Sequence, residues 1–291
     1  MKTNIKAHTG NGFTLMRMTF ALILMMAGTI AAQSESAGNS GIPLWVEAGL
    51  WGMFAGGASL LGAVIGYKVK LSQRVIAGIM AFGSGVLISA LSFELMEEAF
   101  HQAGLLPTTI GFFAGALTYS GINGLLSRMG AKNRKRSSGQ PSESEEEGSG
   151  TAIAVGALLD GIPESMAIGL TMLVGGIVSM TTVLAIFISN IPEGLSSSAG
   201  MKAAGRSTSY IFGIWIGIAV ISGFSALVGY SVFIDLSIEA RAATTAIAAG
   251  AILSMLAETM IPEAFEGTHN WAGIITCAGF VCAFALSMLG G

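Results

Sequence analysis

Asp160-Gly161-Ile162-Pro163-Glu164 interrupts a long apolar run, and Ser189-Asn190-Ile191-Pro192-Glu193 repeats the pattern in the next one. A third Ile-Pro-Glu stands at Ile261-Pro262-Glu263, so three of the chain's 6 prolines fall in the same triplet. A carboxylate inside hydrocarbon costs about 3 kcal/mol on insertion scales and more in simulations, and it persists where it meets a partner, a cation or water. The apolar runs around the triplets read as membrane-crossing helices, and the triplets themselves as a site within them.

Composition points the same way. The chain has 291 residues, of which 52% are hydrophobic and 11% charged, against about 25% charged in a soluble domain. A mean hydropathy of +0.71 with 41 glycines implies several spanning helices, since small residues let helices approach closely in a membrane. The net charge of -3 says little, because the charges are confined to a few loops. The two cysteines, Cys277 and Cys282, lie in one apolar run without the Cys-x-x-Cys spacing or histidines of a thiolate site, and read as buried thiols.

The expected fold is an all-α polytopic bundle of eight spanning helices, preceded by a signal peptide or an extra helix. Residues 1–43 hold that N-terminal element and a Ser/Gly-rich linker; the apolar core at 15–32 suits either identity. Residues 44–127 carry spans one to three (44–67, 75–96 and 105–127), and residues 151–291 carry spans four to eight (151–175, 180–201, 208–233, 242–264 and 271–290), each near the roughly 20 residues a bilayer requires. Lys68, Lys70 and Arg74, the block from Arg128 to Arg136, and Lys202 with Arg206 fall on one side if each span crosses once. An excess of Lys/Arg marks that side as cytoplasmic. Residues 128–150, basic and then acidic with nothing apolar after Ala131, read as a disordered cytoplasmic loop: a solvated linker, or a regulatory or lipid-contacting segment. Nucleic-acid binding is excluded for so short a segment between two spans.

Helical spacing puts Asp160 and Glu164 on one face and Ser189 and Glu193 on one face, with Asn190 one step round. Proline before each glutamate removes a backbone donor, so a kink and freed carbonyls are expected near positions 159 and 188. Spans four and five, joined by a short link, run antiparallel and bring Asp160, Glu164, Asn190 and Glu193 together near mid-membrane. Three carboxylates there need compensation, for which a divalent cation or protons suffice.

The two motifs, with a charged loop before span four and both ends of an eight-span unit outside, resemble the ZIP (Zrt/Irt-like) metal transporters over about residues 44–291. The resemblance implies a binuclear metal centre on spans four and five and inward movement of zinc, iron or manganese. Asp160 stands where the family commonly has histidine and Gly161 where it has asparagine. Ser189 replaces a frequent Gln or His, while Asn190 keeps a common type. Residues 222–229 lack the Glu-Pro that often serves the second metal. The first site is therefore expected to use Asp160, Glu164 and Glu193, with Asn190 and Ser189 as weaker ligands, and the second to be weakened or absent. All-oxygen ligation suits manganese or magnesium; the family association puts zinc first, with manganese or ferrous iron next, as substrates and not cofactors.

Two further acidic groups complete the candidate set. Glu94, with Glu97 and His101 on the same face, suits an anionic vestibule that concentrates cations, and Glu98 and His101 equally suit a solvated helix end. Glu258 suits release toward the cytoplasm, with Glu263, Glu266 and His269 at the interface. Ser196, Ser197 and Ser198 suit either hydration of the inner path or helix packing. The functional expectation is a non-enzymatic importer of a divalent metal in the cell inner (plasma) membrane, with the lipid bilayer as surroundings and room for a homodimer. A metal-binding sensor or scaffold shares the same ligands. An intramembrane hydrolase would need a His-Glu-x-x-His pair or its equivalent, which the chain lacks.

Overall fold

Serine starts three of the helices. The Ser179, Ser207 and Ser237 hydroxyls accept the backbone N–H of Thr182, Tyr210 and Ala240, satisfying one of the donors that a helix N-terminus leaves open. The computed structural model describes residues 41–142, 144–145, 148–173 and 176–290, and among the described residues it is helical with no strand. The signal peptide or extra helix expected at 1–43 lies outside the described residues up to position 40.

Helix α1 spans Leu44–Lys68. Helix α2 runs Gln73–Ala90, continues through a π segment Leu91–Met96 and Glu97–Ala103, and stops at Gly104, whose φ of 75° favours glycine. Helix α3 spans Leu105–Leu126, and the stretch after it, Ser127–Ala131, kinks out of helical geometry at Met129 and Gly130, whose φ of 93° favours glycine. Helices α4 (Ser149–Thr171), α5 (Met180–Ala203) and α6 (Thr208–Ser231) follow. Helix α7 spans Ile238–Met255 and continues through a second π segment, Leu256–Met260, into Ile261–Thr268; α8 spans Ala272–Gly290. Ile42–Gly291 forms one compact unit.

An all-α bundle is thus observed, with a helix over each of the expected spans. Six stretches are long and apolar enough to cross a membrane: α1, α2, α3, α4, α6 and the stretch Ile238–Met288. That last stretch has 51 residues and contains the turn at His269–Trp271 that separates α7 from α8. Helix α5 is not among them, because Ser189, Asn190, Glu193 and Ser196–Ser198 dilute its apolar character. It is the bundle's interior instead, buried almost continuously from Thr182 to Met201.

Packing explains that position. Helix α1 lies along α5 and α6, α2 along α8 and α5, α3 along α7, and α4 along α6. At the α1–α5 contact, a Cβ on Gly62 would collide with the Ile191 carbonyl and one on Gly194 with that of Ser59, so both glycines permit backbone-to-backbone approach. The Asn190 amide and the Ser198 hydroxyl donate to the Ala55 and Ala63 carbonyls across the same seam. Large apolar side chains point outward from α3, including Ile110, Phe113 and Leu117. An exterior so apolar, on helices of spanning length, is that of a membrane protein. Cys277 is exposed and Cys282 partly so, contrary to the buried thiols expected, because α8 turns that face away from the bundle.

Candidate functional site

Asp160, Glu164 and Glu193 are all buried, and the structure brings them within electrostatic reach of one another between α4 and α5. Pro163 and Pro192 both lie inside helices that run on past them, α4 and α5.

The compensation for these charges comes from the chain itself. Arg134 donates from Nε to Asp160 Oδ2 at 2.9 Å and from Nη2 to Oδ1 at 2.8 Å, a two-pronged pairing that matches the guanidinium fork. Lys135 Nζ donates to Glu193 Oε2 at 2.9 Å and lies 3.4 Å from Asp160 Oδ2. The Tyr119 hydroxyl of α3 donates to Asp160 Oδ1 at 2.5 Å and accepts from Arg134 Nη2 at 2.9 Å. Arg134 and Lys135 are only 2% and 3% exposed, and both belong to the segment expected to be a disordered, solvated loop. That expectation fails for this part of 128–150 because it counted apolar side chains alone. A charged segment is buried when its charges find opposite partners in a low-dielectric interior. Burial works against the positive charge on both residues; Asp160 and then its acidic and phenolic neighbours outweigh it, and each ends above its ordinary pKa.

Glu164 is different. It is 1% exposed, and neither carboxylate oxygen has a hydrogen-bond partner among the described residues. Three carboxylates thus face two cations, and the one on Glu164 is left over. As they stand, with Arg134 and Lys135 among them, the acidic groups do not form a metal-holding cluster of three or more His, Cys, Asp or Glu among the described residues.

The remaining predicted residues take up other places. Ser189 donates its hydroxyl to the Ile186 carbonyl of its own helix, and the Asn190 amide is committed to α1. Glu258, in the π segment of α7, accepts from Ser120 Oγ and, at 2.6 Å, from Asn123 Nδ2. Asn123 Oδ1 in turn accepts from Arg134 Nη1 at 2.7 Å, so Glu258 joins the central network through one amide.

Glu94, in the π segment of α2, accepts from Ser179 Oγ at 2.8 Å and Ser287 Oγ at 2.6 Å. It borders a cavity of about 260 Å³ that Glu98, Gln102, Thr171 and Arg241 also line. At about 1.5 Å per residue, Glu193 lies roughly 20 Å along α5 from Ser179, so this is a separate region of the bundle. His101 and Glu97 form an exposed pair at 3.7 Å.

Glu263 was expected at the interface and is instead 2% exposed. Arg136 Nε lies 3.7 Å from its Oε2, and the Ser137 N–H and Ser196 hydroxyl reach its Oε1 at 3.4 Å. Of the three repeated triplets, the same loop contacts the glutamates of two.

Sequence reasoning missed Tyr119 and Asn123, read Arg134 and Lys135 only as part of a solvated loop, and placed Glu263 at the interface. The excess of intramembrane acid over intramembrane base was the available signal, since it called for cations from outside the spans. No protein-family model matches the chain, and a search of curated proteins returns no match either.

Proposed function

We propose that the protein is a membrane carrier that moves a divalent cation inward through the carboxylates of α4 and α5, with zinc first and manganese or ferrous iron next as substrates. The observation that carries this reading is Glu164: a fully buried carboxylate with no hydrogen-bond partner among the described residues, one helical turn from Asp160 and within electrostatic reach of Glu193. Such a group is costly unless a proton or a cation meets it, and a dication bridging it to Asp160 and Glu193 supplies what the protein does not. Oxygen donors make the site a hard one, open to manganese as well as zinc.

The reading includes eight crossings in the cell inner membrane, with α5 crossing inside a shell of apolar helices and α7 and α8 crossing separately. It takes the chain as similar to ZIP transporters, on the strength of the paired motifs. Glu94, beside an open acidic cavity, serves the entrance. Glu258, tied through Asn123 to the central network, serves release. The π segments that hold these two residues support the assignment, because such local widenings of a helix recur at functional sites.

The test is metal-competition uptake in proteoliposomes, zinc against manganese, iron and cadmium. Uptake is expected to fall to the empty-liposome rate in Glu164→Ala and Glu193→Ala, and unaltered uptake in both refutes the reading. A metal-binding sensor is the second reading, favoured by the ion pairs that already neutralise Asp160 and Glu193; it predicts saturable binding without uptake.

A further inference from the structure

We propose that residues 132–141 are a tethered competitor of the transported cation, with Arg134 and Lys135 holding the charge positions that a dication takes over when it binds. The inference rests on the proposed carrier function and adds to it a closing device and a charge rule for the substrate.

The segment is seated and not merely near. Gly156 lies one turn before Asp160 on α4, and a Cβ there would stand 2.5 Å from Arg134 Cδ and 2.8 Å from its Nε; the missing side chain is the groove for the arginine stem. A Cβ on Gly200 of α5 would collide with the Arg136 carbonyl oxygen and stand close to the Gln140 amide. Gln140 Nε2 binds the Arg134, Arg136 and Ser197 carbonyls, which folds the segment on itself and fixes it to α5. Arg136 adds its contacts with Glu263 and, at 2.9 Å, Glu266. Two helices therefore carry glycine where the segment docks, and four acidic residues receive its three consecutive basic ones.

The charges decide what can displace it. Arg134 and Lys135 bring two positive charges to Asp160 and Glu193, and Glu164 has no hydrogen-bond partner among the described residues. A monovalent ion in their place leaves buried negative charge uncompensated. A dication replaces both charges and offers coordination to Glu164, with which neither basic side chain forms a direct ion pair among the described residues. When the cation leaves, the segment returns, and Asp160 and Glu193 regain their counter-charges. A seat occupied nine-tenths of the time or more would weaken apparent affinity about tenfold or more, because only the open fraction binds.

Two readouts on the full chain in detergent test this. The first needs no variant: trypsin cleavage after Arg134, Lys135 and Arg136, followed by peptide mass. Zinc or manganese ions are expected to accelerate cleavage at these three bonds, while sodium at matched ionic strength does not. The second is equilibrium dialysis with the same metals on the double variant Gly156→Ala, Gly200→Ala, which obstructs the seat and keeps every charged group. Its affinity should tighten about tenfold, with cleavage fast before metal is added. Metal binding that depends on Glu164 but leaves wild-type cleavage unaltered overturns the competitor and spares the carrier. Absence of metal binding in both proteins, with the loop freed in the variant, refutes the carrier reading and the competitor with it.

Discussion

Glu193 and Glu94 are glutamates on largely apolar helices, roughly 20 Å apart along the bundle, and different means stabilise them. Glu193 is 5% exposed and takes a lysine ammonium at 2.9 Å, with the Asp160–Arg134 pair beside it. Glu94 takes two serine hydroxyls and borders an open cavity. Where solvent reaches, neutral donors suffice to hold a carboxylate, since water screens the rest. Where it does not, a full counter-charge is required, and here the chain supplies it from a loop. The inner region is thus stabilised by strong, mutually dependent ion pairs, and the outer one by weak, independent hydrogen bonds.

Removing one inner partner is the harshest way to probe that contrast. Arg134→Ala leaves Asp160 buried without its principal cation and should destabilise the protein by about 3–5 kcal/mol, read as thermal unfolding in detergent. A loss below about 1 kcal/mol would place the inner pairs on the same footing as surface ones. Tyr119→Phe removes one hydroxyl from the same carboxylate and should cost about 1.5–3 kcal/mol, the range for hydrogen bonds to charged groups. A double cycle with Arg134→Ala should be non-additive by roughly 0.5–3 kcal/mol, because both donors meet at Asp160 and one meets the other.

Glu164→Gln sharpens the comparison from the other side. It removes a carboxylate that has no hydrogen-bond partner among the described residues and keeps the side chain's shape, so stability should hold while, on the proposed carrier reading, metal uptake is lost. A drop in stability would mean that Glu164 serves the fold. Glu94→Gln keeps acceptor capacity toward both serines and should change stability by no more than about 0.5–1.5 kcal/mol. On the proposed carrier reading its effect falls on uptake rate at low ionic strength, where acidic groups at an entrance concentrate cations. A loss as large as that of Arg134→Ala would erase the distinction between the two regions.

Much of the architecture was legible before any coordinates. The apolar runs locate the helices, and the cost of burying acid singles out Asp160, Glu164 and Glu193, all three of which are buried together. The π segments at Glu94 and Glu258 were not legible, since an extra residue per turn leaves no compositional mark. Glu263 was misjudged because its burial depends on Arg136 and Ser137 arriving from another part of the chain. The basic block served as an orientation signal, and nothing in its composition separates a solvated linker from one folded into a site.

The amino-acid sequence by itself determined where helices form and which carboxylates could not stay uncompensated, because both follow from local hydropathy and the dielectric penalty on charge. Only the tertiary structure decided which cations answer them. Arg134 meets Asp160 and Lys135 meets Glu193 because Gly156 and Gly200, on two different helices, leave room for one loop between them. That complementarity exists only after the bundle has closed.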